Sequence, residues 1–142
     1  MSFDPKDVLQ IMEELSPFNR LLGIKGEKLE PGCAVLRLPV KPEFVGDPRR
    51  GALHGGVVSA LIDTAGGAAA WSALAKGESV STVDLSVDFL EPASLAAPLI
   101  AVAELVRKGN RVCHVRVAVT QGDKLVAEGR AVFSIHRRAA DS

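Results

Sequence analysis

Two glycines and one aspartate carry the chemistry that this sequence can do. Gly55 and Gly56 stand at the head of a long apolar run, directly after His54, and Asp63 follows eight positions later inside that run. A run of this kind reads as a helix, and the first N–H groups of a helix have no intrahelical acceptor. The helix dipole adds partial positive charge at the same end. Glycine also lets a ligand oxygen come close to the backbone. The Gly55 amide is therefore placed to hold a carbonyl oxygen that becomes an oxyanion. The same glycine pair can serve a plainer purpose, the tight packing of helix on sheet. Asp63 needs its own explanation, because an unpaired carboxylate in an apolar helix costs several kcal/mol. Its neighbours along the helix, Ser59, Gly66, Gly67 and Ala70, are all small. That face has room for a water or a substrate group; the alternative is a structural Asp bonded to a neighbouring strand.

The elements that must position these residues are legible from pattern. Asp4-Pro5 predicts a helix start, with Asp as N-cap and Pro at the first helical position. Val8, Leu9, Ile11, Met12 and Leu15 form its apolar stripe, which ends at Ser16-Pro17. Leu22 to Leu29 and Cys33 to Val40 read as two strands joined by the turn Glu30-Pro31-Gly32. The segment 41–53 reads as a long loop, a length that favours a functional role. The apolar helix follows, from about Gly55 to Ala75. In the next strand Val83, Leu85, Val87 and Phe89 alternate with Thr82, Asp84, Ser86 and Asp88. Leu99 to Arg107, Arg111 to Thr120 and Leu125 to His136 complete the strands, and Arg137 to Ser142 reads as a flexible tail. The order predicts one α+β domain over 1–142. A helix in the first 20 residues precedes an antiparallel sheet of about five or six strands wrapped around one long central helix. Because that helix is apolar nearly all round, a second subunit is a natural source of the cover the sheet does not supply.

Composition narrows the class. The 17 Lys and Arg balance 17 Asp and Glu, which argues against a nucleic-acid binder. At 47% hydrophobic and 4% aromatic, with no Tyr, the core must be built from Val, Leu, Ile and Ala. Cys33 and Cys113 form neither a disulfide framework nor a metal motif, and read as reduced core thiols of a cytoplasmic protein. The N-terminus lacks the basic start and apolar run of a signal peptide. The stretch Val57 to Ala75 is long enough to suggest a membrane span, but Asp63 inside it and its many alanines and glycines speak against one. The trio Glu104, Glu128 and His136 has no metal-ligand spacing.

The segments LHGGVVSALIDTAGGAAA, STVDLSVDFLEPA, VRKGNRVCHVRVAV and GDKLVAEGRAVFSI together resemble the hotdog-fold acyl-CoA thioesterases, in the branch that includes the phenylacetate-pathway (PaaI-like) enzymes. With the first hairpin, the resemblance runs from Leu22 to Ile135. It implies a cytoplasmic hydrolase that acts on an acyl-CoA and needs no cofactor or metal, coenzyme A being part of the substrate. It also implies a homodimer with the active site at the subunit interface, paired into a homotetramer. By the same resemblance Asp63 is the general base or nucleophile, Gly55 the carbonyl donor and His54 a residue that caps the helix or organises the site. Thr82 aligns with a hydroxyl that in some relatives helps hold the attacking water from the neighbouring subunit. Gly56, Ser59 and Gly67 would border the substrate. Arg107, Lys108 and Arg111, at a hairpin tip, would suit the coenzyme A phosphates, with Arg137-Arg138 and Arg49-Arg50 as competing contacts. One departure stands out: relatives often carry Asn or Gln a few residues before the His, whereas this loop has Asp47, Pro48, Arg49 and Arg50.

Two functions of different class follow. The first is hydrolysis of an acyl-CoA with an aromatic or medium-chain acyl group. The second is a non-catalytic acyl-CoA-binding or sensing protein, which the missing amide favours and the retained Asp63 disfavours. A hydratase of the same fold would pair its Asp with a His on the central helix, and Asp63 has none there.

Overall fold

The structure, a computed structural model, describes residues 5–137. It begins with α1 (Pro5–Gln10), which continues as one wide turn over Ile11–Leu15. The Asp4 cap lies outside the described residues. Ser16-Pro17 closes this segment as expected, but it also opens a second helix, α2 (Pro17–Leu22), which the pattern did not predict. Ser16 Oγ accepts from the Asn19 N–H at 3.4 Å, and Pro17 occupies the first helical position. Gly23, at φ 83°, ends α2 in the left-handed conformation. The predicted strand from Leu22 therefore starts later.

The strands are β1 (Lys25–Glu30), β2 (Cys33–Leu38), β3 (Val45–Asp47), β4 (Ala52–Leu53), β5 (Glu78–Phe89), β6 (Leu99–Lys108), β7 (Val112–Gln121) and β8 (Lys124–Arg137). Six of them form one antiparallel sheet in the order β1-β2-β6-β7-β8-β5, and β3 and β4 pair as a small separate hairpin inside the predicted loop. Arg137, expected in the tail, is the last residue of β8; residues 138–142 lie outside the described part.

The long helix α3 (Gly55–Ser72) lies on this sheet, stopping three residues short of the predicted Ala75. Its end is pinned: Ser72 Oγ donates to the Ala69 carbonyl at 2.7 Å and accepts from the Gly32 N–H at 2.9 Å. Leu61, Ile62, Ala65, Ala68, Ala69 and Ala70 are buried against Leu36, Val115, Val117 and Phe133 of the sheet. Two glycines allow this closeness. A Cβ on Gly66 would lie 3.2 Å from the Phe133 ring, and one on Gly129 of β8 would lie 2.5 Å from Ile62 Cγ2. A core of methyl groups with few rings suits a helix seated this near to a sheet.

Strand β5 is a sheet edge, paired only with β8. Its register with β8 shifts between Thr82 and Asp84, so Val83 is an extra residue and is 59% exposed. Twelve residues of edge backbone with apolar side chains in solvent form a surface ready for pairing.

Gly129→Ala should push Ile62 and the middle of α3 away from the sheet. The expected cost is about 1–3 kcal/mol, read as a lower urea midpoint; an unchanged midpoint would show that the helix has slack here.

Candidate active site

The small hairpin β3-β4 delivers the chain to the head of α3. His54 is extended, at φ −63° and ψ 133°, and its N–H donates to the Phe44 carbonyl at 2.8 Å. Gly46 lies so near that a Cβ there would sit 2.8 Å from the His54 Cα. The imidazole then folds back over the helix: Nδ1 accepts from the Gly56 N–H at 2.8 Å. A neutral ring that accepts at Nδ1 carries its proton on Nε2. A Cβ on Gly56 would meet this ring at 2.9 Å, so the second glycine makes room for the cap. The Val57 N–H donates to the His54 carbonyl at 3.0 Å. Gly56 was expected to bind substrate, but its amide is already used. The Gly55 N–H, at the positive end of the helix, has no acceptor among the described residues.

Asp63 lies two turns further along, half-buried, on the one stripe of α3 that the chain itself leaves partly open. Ser59 and Gly67, one turn to each side, share that stripe and are also half-buried. Gly66 and Ala70 do not: both are buried, Gly66 against Phe133, so packing explains their size. Asp63 does not lack a partner. Thr82 Oγ1 donates to Asp63 Oδ1 at 2.6 Å. Strict alternation would put Thr82 on the sheet face shared by Asp84, Ser86 and Asp88. The bulge at Val83 reverses the phase, so Val80 and Thr82 face the helix together with Leu85 and Val87. Thr82 was expected to reach this site from a neighbouring subunit; here it reaches the Asp63 of its own chain.

Gly55 and Asp63 are separated by eight residues of one helix, or about 12 Å along its axis. A single thioester carbonyl cannot be held by one and attacked by the other within one chain.

The basic clusters lie at opposite ends of α3. Arg49 and Arg50 are exposed on the turn between β3 and β4, on the Gly55 side, and both approach Asp47, at 3.2 and 3.9 Å. Arg107, Lys108 and Arg111 lie at the other end. Lys108 is already engaged: its Nζ donates to the Ala73 carbonyl at 3.3 Å and pairs with Glu78 at 3.4 Å, where it caps the negative end of the helix. Arg137 also pairs with Glu78, at 3.0 Å, and donates to the Asn110 carbonyl at 2.8 Å. Arg107 and Arg111 remain exposed. Among the described residues no group of three or more His, Cys, Asp and Glu side chains could hold a metal ion. Both cysteines are free, but only Cys113 is buried, and burial raises its thiol pKa; Cys33 is half-buried.

Residues 50–131 match the thioesterase superfamily model, which covers more than half of the chain. The chain belongs to the thioesterase superfamily. The medium/long-chain acyl-CoA thioesterase YigI of Salmonella typhimurium is 33% identical over 133 residues, covering 84% of this chain and 85% of YigI. Human acyl-coenzyme A thioesterase 13 is 27% identical, covering 88% and 89%. The structure of the Escherichia coli PaaI protein, from the phenylacetic acid degradation operon, superposes with a TM-score of 0.83 at 24% identity, covering 95% of this chain and 94% of PaaI, and so shares its fold.

In this thioesterase-superfamily chain, the sequence singled out Asp63, Gly55 and His54 but did not show what borders Gly55. A pocket opens beside the amide, lined by Leu53, Val58, Phe89, Leu90, Ala93 and Val126 among others. These residues come from three separate stretches of the chain, 53–58, 89–93 and Val126, and nothing in the sequence marks the stretches as neighbours.

Glu78 is held below the ordinary glutamate pKa, first by the Ala75 N–H, which donates to it at 2.8 Å, and then by Lys108 and Arg137. A lowered carboxylate pKa stabilises the fold above the unfolded value of about 4.3, and that stability drains away as pH falls through the folded value. Glu78→Gln should therefore cost about 1 kcal/mol at pH 7 and flatten the acid limb of the melting-temperature profile below the ordinary glutamate pKa of about 4.3. Parallel profiles for mutant and wild type would remove Glu78 from the acid response.

Proposed function

We propose that this protein hydrolyses an acyl-CoA thioester to the free acid and coenzyme A. One observation carries the reading: a carboxylate paired to a hydroxyl lies on the open stripe of α3, and an unpaired amide waits at the head of the same helix. Their separation of about 12 Å calls for two copies of the chain. In a twofold dimer the Gly55 of one protomer faces the Asp63 of its partner, and two equivalent sites result. The exposed edge of β5 and the open stripe are the surfaces such a dimer would cover, and two dimers would pair as the tetramer.

In each site the Gly55 N–H holds the thioester oxygen and stabilises the oxyanion that forms on it. Asp63 Oδ1 is taken by Thr82, which leaves Oδ2 for the chemistry. In the general-base route Oδ2 removes a proton from water, the water oxygen bonds to the carbonyl carbon, and the C–S bond breaks. The thiolate then receives the proton that Asp63 holds. In the nucleophilic route Oδ2 itself bonds to the carbonyl carbon, the C–S bond breaks to release the thiolate, and water hydrolyses the resulting anhydride, releasing the proton that the thiolate takes up. Thr82, while donating to Asp63, keeps lone pairs that accept from the same water. His54 acts through the helix head and is a positioning residue. The site needs no amide side chain at Pro48 if the Gly55 N–H carries the oxyanion. Exposed Arg49 and Arg50 on one protomer, and Arg107 and Arg111 on either, are the cations available to the phosphates. The scheme assigns no role to a metal or separate cofactor, and the free thiols suit the cytoplasm.

Asp63→Asn, with folding checked by melting, should lose about 10²–10⁴-fold in kcat. Full activity would remove Asp63 from the reaction and leave the binding-protein reading. A single turnover in oxygen-18 water separates the two routes, since only the anhydride route leaves label in the Asp63 carboxyl. The dimeric site has a sharper test. Gly55→Pro deletes the N–H at a first helical position, after a residue already extended, where its Cβ asks the exposed Phe89 ring to give by a few tenths of an ångström. Co-refolding that variant with Asp63→Asn should restore about a quarter of wild-type activity, because half the dimers are mixed and one of their two sites is intact. No recovery from two folded, inactive parents would overturn the shared site.

A further inference from the structure

Resting on the thioesterase reading, we infer that the pocket beside Gly55 receives a straight aliphatic acyl chain, and that Phe89 sets the length it accepts. The pocket has a volume of about 350 Å³. Its floor is Leu53, Val58, Ala93 and Val126, all buried. Its rim is Phe89, at 56% exposed, with Leu90, Glu91 and Pro92. The Phe89 ring rests against the helix head: a Cβ on Gly55 would lie 3.2 Å from it. The hydrocarbon wall therefore begins at the residue whose amide would hold the thioester oxygen.

Two observations select the acyl chain over the rest of an acyl-CoA. The phosphates are excluded because the only charged residue of the lining is Glu91, whose sign repels them. The amide-bearing arm fits less well, because it needs hydrogen-bond partners and three N–H groups of the lining are already taken. The Leu53 N–H donates to the Ala93 carbonyl at 2.8 Å, and the Leu90 and Glu91 N–H groups donate to the Val126 carbonyl at 2.9 and 3.3 Å. A buried amide without partners would be penalised, whereas a methylene gains from leaving water. An aliphatic floor with a single ring at the entrance suits an extended chain better than a flat aromatic acid.

The test is a series of straight-chain acyl-CoAs from butyryl to palmitoyl, with benzoyl- and phenylacetyl-CoA beside them, assayed for thiol release by the full-length protein. In the wild type each added methylene should raise kcat/KM about fourfold until the pocket is full, and the aromatic esters should fall below the best straight chain. Phe89→Ala should move the optimum to longer chains. Ala93→Leu, which fills the floor, should move it to shorter ones. Equal losses across the whole series in both folded variants would overturn the acyl assignment while leaving hydrolysis intact, as would a flat wild-type series or a preference for the aromatic esters. Release from no member by the wild type would sink the thioesterase reading itself, and this inference with it.

Discussion

The axis of α3 lies close to the sheet because the buried face of the helix carries little but methyl groups and aliphatic side chains. Ala65, Ala68, Ala69 and Ala70 have almost no exposed surface, and Gly66 yields to the Phe133 ring. Dispersion falls steeply with distance, so a helix seated this tightly is held along its length. The site depends on that seating. It fixes the height of Asp63 above β5, and so permits a 2.6 Å hydrogen bond from Thr82. It also brings the head of the helix under Phe89.

A helix packed on one side leaves the opposite stripe for something else. Here that stripe holds Ser59, Asp63 and Gly67, residues small enough for a second body to approach and one of them charged. The sheet ends beside it in an unpaired edge strand. The two features have one physical origin: a single helix and six strands cannot cover both the open stripe and the edge of β5. The proposed dimer removes both liabilities and also joins the two groups that one helix holds too far apart. Assembly and catalysis would then be one event.

Much of the fold was legible in the sequence because periodicity reports burial. The three late strands with their turns and the apolar length of α3 follow directly from which residues meet the core. Helix α2 was not legible, because Ser16-Pro17 is both a stop signal and a start signal and local pattern does not say which dominates. The bulge at Val83 was not legible either. Val83-Asp84-Leu85-Ser86 alternates without a flaw, and only the pairing with β8 reveals that one residue is extra. That single residue moves Thr82 from the outer face to the helix face. Lys108 is another such case: a basic residue at a hairpin tip looks available for phosphate until the end of α3 arrives beside it.

By itself the sequence determined the order of the six sheet strands and the long helix among them, and it marked Gly55 and Asp63 as the positions on that helix that need explaining. These are properties of residue type and spacing along one element, and they need no knowledge of what packs against it. Tertiary structure decided the rest. It chose which of two glycine amides stays unpaired, by folding the His54 ring onto Gly56. It gave Asp63 its partner and assembled the pocket of Leu53, Val58, Phe89 and Val126 from segments far apart in the chain. The reason is one of range. Backbone preference and hydrophobic period act over a few residues, whereas a hydrogen bond or a pocket wall requires side chains from distant segments to meet within a few ångströms, and only the packed core sets that distance.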